Sequence, residues 1–168
     1  MDALETRHLE DGVQVAETIE SCKTWADLGS GGGFPGLVVA ICKPEARVTL
    51  VESDQRKAVF LRRAAAELKL NVAVQSARIE SIPPLLTDVI SARALAPLDR
   101  LIPLAYRHGR HDTRYVFPKG SRYKEELSEA RKNWRFEIDV LPSRTDKDAV
   151  ILIMENILDT QILKKFHV

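Results

Sequence analysis

Cysteine is scarce in this chain. Cys22 and Cys42 are the only two among 168 residues. Two thiols, both beside apolar neighbours, fit a reducing, cytoplasmic setting, which is what is expected here. No metal-ligand spacing involves them, and His108 and His111 read as solvent-exposed loop residues, so no metal site is expected. Long apolar runs are missing as well, which argues against a membrane span. The opening MDALETRHLEDG is polar and mixed in charge, unlike a signal peptide. Net charge is almost absent: 25 Lys and Arg against 24 Asp and Glu leave +1. Bulk charge therefore announces no partner. Aromatics make up only 6%, so few rings are available to stack an unpaired base. Tyr106, Tyr115, Tyr123 and Trp134 are the candidates outside the clear core.

The chain does have clustered cations. Arg56, Lys57, Arg62 and Arg63 share one segment, and Arg107, Arg110 and Arg114 another. Lys119, Arg122, Lys124, Arg131, Lys132 and Arg135 follow. Such patches can hold phosphates. A hydrophobic content of 45% is that of a globular chain with a real core, and 168 residues fit one domain, 1–168.

Short apolar, partly β-branched segments recur along the chain. They predict strands at 24–28, 48–51, 72–74, 88–90, 114–117, 136–141 and 150–154. Three-to-four spacing of Ala58, Phe60 or Leu61, Ala64, Ala65 and Leu68 predicts a helix over 54–69, capped by Ser53 or Asp54. Pro97 opens a helix that Gly109 ends, and Ser121 caps another over 121–134. With a helix at the front, β and α alternate about four times, ahead of a strand, a helix and two closing strands. Alternation implies a doubly wound parallel α/β sheet with right-handed crossovers. The polar connection 142–148 is too short for a crossover, so the last two strands form an antiparallel pair.

Five of the eight glycines, Gly29, Gly31, Gly32, Gly33 and Gly36, lie in Asp27–Gly36. That stretch joins the first strand to a helix. A strand, a glycine turn and a helix N-terminus make a ligand cradle at the carboxyl edge of a sheet. Leu37 stands where a P-loop needs lysine, which removes the nucleoside triphosphates. Gly31, Gly33 and Gly36 fit the dinucleotide spacing, with Glu52 about twenty residues on. Asp27, Gly29, Gly31 and Gly33 fit the Asp-x-Gly-x-Gly-x-Gly loop of S-adenosylmethionine sites. Glu52, ending the second strand, can accept both ribose hydroxyls. The closing antiparallel pair favours a methyltransferase over a nicotinamide-dependent oxidoreductase, and a cofactor-binding module without turnover is the third reading.

Leu28–Leu37, with its Phe34-Pro35-Gly36 ending, resembles the loop of the bacterial glucose-inhibited division protein B family, the 16S rRNA guanine-N7 methyltransferase G family. Arg7-His8-Leu9-Glu10-Asp11 resembles the family's Arg-His-x-x-Asp. Lys57, Phe60, Leu61 and Arg62 resemble its Lys-x-x-Phe-Leu-Arg helix. Gln75–Glu80, Ile90–Ala94 and Lys119-Gly120 follow in family order. The resemblance runs from about residue 7 to 157. It implies a Rossmann-like class I S-adenosylmethionine-dependent methyltransferase sheet. It also implies cofactor contacts at Gly29 and Phe34, at Ile79 and Glu80 near the adenine, and at Arg93. Family members usually carry some fifty or more residues ahead of the Arg-His motif, mostly helical, so a shortened front end is expected.

The resemblance further implies a guanine N7 acceptor in 16S ribosomal RNA or a small-subunit assembly intermediate, handled by a monomer. Another RNA or a small molecule is the alternative acceptor. Guanine N7 carries a lone pair at neutral pH and needs no base. Neither cysteine is placed for attack on cytosine C5. Ser91-Ala92-Arg93-Ala94 stands where amino-group methyltransferases usually carry Asp/Asn-Pro-Pro-Tyr/Phe. Arg93 and Lys119 are expected at one sheet edge, holding the methionine carboxylate, an RNA phosphate or guanine O6.

Overall fold

The computed structural model describes residues 3–165. Helix α1 (Ala3–Glu17) precedes strand β1 (Thr24–Leu28), helix α2 (Gly36–Cys42), β2 (Arg47–Val51), α3 (Gln55–Glu67) and β3 (Val72–Gln75). Then come β4 (Thr87–Ser91), α4 (Leu98–Tyr106), β5 (Gly109–Lys119), α5 (Tyr123–Ala130), β6 (Trp134–Pro142), β7 (Val150–Asp159) and α6 (Thr160–Lys165). The seven strands form one sheet in the order β3-β2-β1-β4-β5-β7-β6. The β1–β5 neighbours run parallel, and β7 lies antiparallel between β5 and β6. The order reverses between β1 and β4, and that switch point is where a ligand crevice opens.

Strand alternation splits the core between the two faces. Trp25, Val48, Leu50, Val89 and Val116 meet α1, α2 and α3 through Val15, Val39 and Leu61. Ala26, Leu28, Ile90, Phe117 and Leu152 meet α4 and α5 through Leu98, Leu101, Ile102 and Ala130. On the first face a buried chain of hydrogen bonds ties β1 to β4. Trp25 Nε1 donates to Ser91 Oγ at 2.9 Å, and Ser91 Oγ donates to Asp27 Oδ1 at 2.7 Å.

Three local features differ from the sequence expectations, and a fourth resolves an alternative. Between β3 and β4 there is no crossover helix, only a 3-10 turn at Ile79–Ser81. Pro83 and Pro84 follow it and cannot continue a helix. Strand β5 begins at Gly109, so the stretch read as a histidine loop is strand, and His108 is fully buried. Helix α5 starts at Tyr123 without a side-chain cap, so Ser121 does not cap it, and Trp134 opens β6 instead of ending the helix. On α3, Asp54 caps the start through the Arg56 and Lys57 amides, while Leu61 is buried and Phe60 is 54% exposed. Phe60 is therefore an exposed ring on a basic helix face, not part of the apolar stripe.

Candidate active site

Two cavities open at the carboxyl edge of the sheet and share Arg93, Ala94 and Leu95. One, about 680 Å³, runs along the glycine loop and past the ends of β1 and β2 to the Ile79–Ser81 turn. The other, about 740 Å³, lies beyond Arg93, between α1, the end of β5 and the β6–β7 connection.

The loop curls into its cradle because of its glycines. Gly29 holds φ +67 with Leu95 Cδ1 only 2.7 Å from where a Cβ would sit, so a side chain there meets both strain and overlap. The turn is anchored by Glu52. Its carboxylate accepts the Gly31 amide at 2.7 Å and the Asp54 amide at 2.9 Å. A carboxylate offers about four lone-pair positions. Glu52 therefore holds the loop and keeps acceptor capacity toward the cleft it lines. Gly29, Gly31, Phe34, Glu52, Ile79, Glu80 and Arg93 all line this cleft.

Asp27 and Gly33 do not line either cavity. A Cβ at Gly33 would press on Leu37 and Leu61, so this glycine serves packing. Asp27 is buried beneath the loop. Oδ1 takes the Ser91 hydroxyl, and Oδ2, which has no partner at hydrogen-bond geometry among the described residues, faces the start of α2 at Gly36. Burial pushes its carboxyl up to about 6, against the opposing pull of Ser91, Ser30, the Gly36 amide and the Arg93 charge. Asp27 therefore ties β1 to β4 beneath the loop.

Arg93 stands at the junction of the two cavities. Its Nη1 lies 2.8 Å from His8 Nδ1. Arginine only donates, so His8 accepts at Nδ1 and carries its proton on Nε2. The His8 ring also packs on Phe34, centroids 5.7 Å apart. Residue 8, on α1, therefore joins the glycine loop to Arg93. The backbone beside Arg93 is unusual: Ala94 takes φ 51, a conformation that non-glycine residues rarely adopt.

Lys119 is placed differently from its expected role. Its side chain is only 7% exposed and pairs with Glu126 at 2.7 Å. The same ammonium donates to the Ala96 carbonyl at 2.8 Å, and Glu126 also takes the Leu98 amide. Lys119 shares the second cavity with Arg93. Its ammonium fixes the 96–98 backbone and is not presented to solvent.

The 3-10 turn at the far end of the cleft is clamped from the α4–β5 junction. Arg107 donates to the Glu80 carbonyl through Nη1 and to the Ile82 carbonyl, at 3.0 Å, through Nη2. His108 Nε2 donates to the Ile79 carbonyl at 3.0 Å, and desolvation lowers the imidazole pKa. Two adjacent residues thus hold three carbonyls of a segment that no sheet ladder supports. Arg107→Ala is expected to weaken binding of an adenosine-containing cofactor by up to about 30-fold, since it removes two bonds worth roughly 1 kcal/mol each. Calorimetry checks it, and unchanged affinity would show that the turn holds itself.

Sequence reasoning missed this clamp, His8, and the cleft residues Lys57, Arg78 and Arg100. Lys57 and His8 lie inside the motifs that carried the resemblance, so the signal existed without a role attached. Among the described residues no His, Cys, Asp or Glu group could hold a metal, and no helix is long and apolar enough to cross a membrane. Burial pushes the Cys22 thiol pKa up, and the same cause acts on Cys42.

The cleft fits S-adenosylmethionine in kind. It offers a glycine backbone for close approach, an acidic strand end for hydroxyl donors, a turn backbone at the far end, and a guanidinium for a carboxylate.

Among solved structures the chain is similar to the mitomycin 7-O-methyltransferase MmcR, with a TM-score of 0.72 and 17% identity over 92% of this chain. It spans 55% of that longer chain. It is also similar to the ribosomal protein L11 methylase from Lactobacillus delbrueckii subsp. bulgaricus, with a TM-score of 0.71 and 18% identity, covering 93% of this chain and 80% of that one. These likenesses give the class I S-adenosylmethionine-dependent methyltransferase fold. In sequence, the chain is 53% identical to a ribosomal RNA small subunit methyltransferase G from Cereibacter sphaeroides over 90% of this chain and 76% of the relative. It is 48% identical to the protein of the same name from a Ruegeria species, over 94% and 78%. Residues 1–148 match the profile of the GidB family, rRNA small subunit methyltransferase G. With that match and those identities, the chain belongs to the GidB family.

Proposed function

We propose that this protein is a cytoplasmic enzyme that methylates guanine N7 in small-subunit (16S) ribosomal RNA, using S-adenosylmethionine. The observation that carries the reading is the pair of adjoining cavities with Arg93 between them. One fits the cofactor, and the other has room for a base beside it. The family and the names of its members support RNA as the substrate.

The cofactor supplies an electrophilic methyl group on a sulfonium. The chain's own residues have a task of placement. Gly29 and Gly31 bring the backbone close, Glu52 takes the ribose hydroxyls, and the Arg107-held turn receives the adenine. Arg93 and the 94–97 segment shape the passage to the second cavity. The N7 lone pair, the methyl carbon and the sulfur must lie in line. Alignment of this kind is worth about 7–11 kcal/mol in favourable cases. N7 gives up no proton, so the site needs no general base.

The surface suits an RNA partner. Arg56, Lys57, Arg62 and Arg63 are exposed on α3 around Phe60, and Lys57 reaches the cofactor cleft. Cations with an exposed ring between them are what a single-stranded or splayed segment needs. The substrate in this reading is 16S RNA or a small-subunit assembly intermediate, and the enzyme acts as a monomer, with residues 1–168 as one catalytic domain.

Mass-spectrometric mapping of 16S RNA from cells with and without the protein tests this. One 7-methylguanine is expected to disappear and to return when the purified protein and S-adenosylmethionine are added. An identical modification map would overturn the assignment. Calorimetry separates the cofactor question, and binding of NAD in place of S-adenosylmethionine would overturn that part.

A further inference from the structure

The cavity beyond Arg93 is lined by three carboxylates, Asp11, Glu126 and Asp146. Glu126 takes both the Lys119 ammonium and the Leu98 amide at Oε2, so its charge is paired by that lysine. Asp146 is committed to Arg7 at one oxygen, 2.6 Å, and to the Asp148 amide at the other, 2.9 Å. Asp11 differs. Its Oδ1 accepts the Thr145 hydroxyl, while its Oδ2 has no hydrogen-bond partner among the described residues. It sits on α1 one turn from Arg7 and His8, and with His8, Phe34 and Arg93 it also lines the narrow gap between α1 and the glycine loop.

We propose that Asp11 reads the donor edge of the target guanine, accepting its N1–H and N2 amino group; this rests on the guanine reading above. Guanine carries two adjacent donors on that edge and two acceptors, O6 and N7, on another. The cavity offers the matching groups. Arg93 supplies a cation for the acceptor side, and Asp11 is the one of the three carboxylates with no cation paired to it among the described residues, its Oδ2 open beside an Oδ1 that takes one hydroxyl. Two parallel bonds to a carboxylate are the geometry that fixes a planar partner. Adenine presents an acceptor at N1, which a carboxylate repels. Asp11 therefore orients the base and selects guanine over adenine.

Asp11 also helps to strap α1 to the β6–β7 connection, together with Arg7–Asp146, Glu17–Arg144 and two bonds of Gln14. Two variants separate the roles. Asp11→Asn keeps an oxygen for Thr145 but turns the other position into a donor. Thr145→Val removes the strap bond and leaves the carboxylate.

The test uses the full chain, S-adenosylmethionine, and 16S RNA lacking the modification. Asp11→Asn is expected to lower kcat/KM for RNA by about 10-fold or more, because a site built to bond a substrate group fails when that pairing is lost. Its cofactor affinity should match wild type, and Thr145→Val should stay within about 2-fold on both. In a second arm, inosine replaces the target guanine and removes the N2 amino group. The wild type should lose several-fold, and Asp11→Asn should lose little more. An Asp11→Asn enzyme equal to wild type, a Thr145→Val enzyme matching Asp11→Asn, or wild type indifferent to inosine overturns the proposal while leaving guanine methylation standing. A wild type that transfers no methyl to guanine overturns both.

Discussion

Arg93→Ala is expected to lower methyl transfer to RNA by about 100-fold, the upper end of what a lost charge-assisted hydrogen bond removes. The argument starts from position. Arg93 follows β4 at the switch point and lines both cavities. Its guanidinium is held by His8 Nδ1 at 2.8 Å, so it is aimed before any ligand arrives. Part of the loss should appear as weaker cofactor binding, because a carboxylate on that side of the cleft has Arg93 as its matched partner. The rest should appear in kcat for RNA, because the same residue shapes the passage between the cavities. Arg93→Lys should recover little, since a point charge does not reproduce a planar fork. His8→Ala should show a smaller loss of the same kind. Calorimetry gives the cofactor part and single-turnover methyl transfer the remainder. Turnover equal to wild type would remove Arg93 from the machinery.

Much of this site can be read from the sequence, and the limits have physical causes. The loop from Asp27 to Gly36 and the acid at Glu52 are local patterns on strand ends, so spacing alone places them. The antiparallel pair at the end follows from a connection too short to cross over. What fails depends on long-range packing. Phe60 and Leu61 are adjacent and both apolar, and only the pose of α3 on the sheet shows that Leu61 is buried and Phe60 exposed. His108 has the look of a loop residue until β5 is seen to begin at Gly109 and to leave its ring against the Ile79 carbonyl. Lys119 lies at the expected edge, but its partner Glu126 comes from α5, and no local pattern announces that pair. Asp27 fits the cofactor motif, yet its carboxylate points to Ser91 and Gly36 beneath the loop.

That placement of Asp27 makes stability depend on pH in a defined direction. The carboxyl titrates at about 6 in the fold, against 3.8 in a model peptide, and burial is the main cause. The folded state therefore holds this proton more tightly than the unfolded chain does. The stability it contributes is fully present below about pH 3.8 and is lost as pH rises through about 6. A shift of this size corresponds to about 3 kcal/mol between the two limits. Asparagine cannot ionise. The Ser91 hydroxyl can still donate to its oxygen, so the β1–β4 tie survives. Denaturation of Asp27→Asn and wild type across this range should then give curves that diverge. The variant should gain on wild type by up to about 3 kcal/mol as pH rises from about 3.5 to 7. Taking this difference cancels the opposite contribution of Asp88, whose carboxyl Arg110 and the Thr24 and Lys23 amides hold down at about 2. Curves that stay parallel would show that Asp27 is not a buried, high-pKa acid. The two predictions are linked, since the Arg93 charge favours the ionised form of Asp27. Removing it should move the divergence to higher pH, so adding Arg93→Ala to both chains tests whether the cation at the cavity junction and the acid under the loop act on one another.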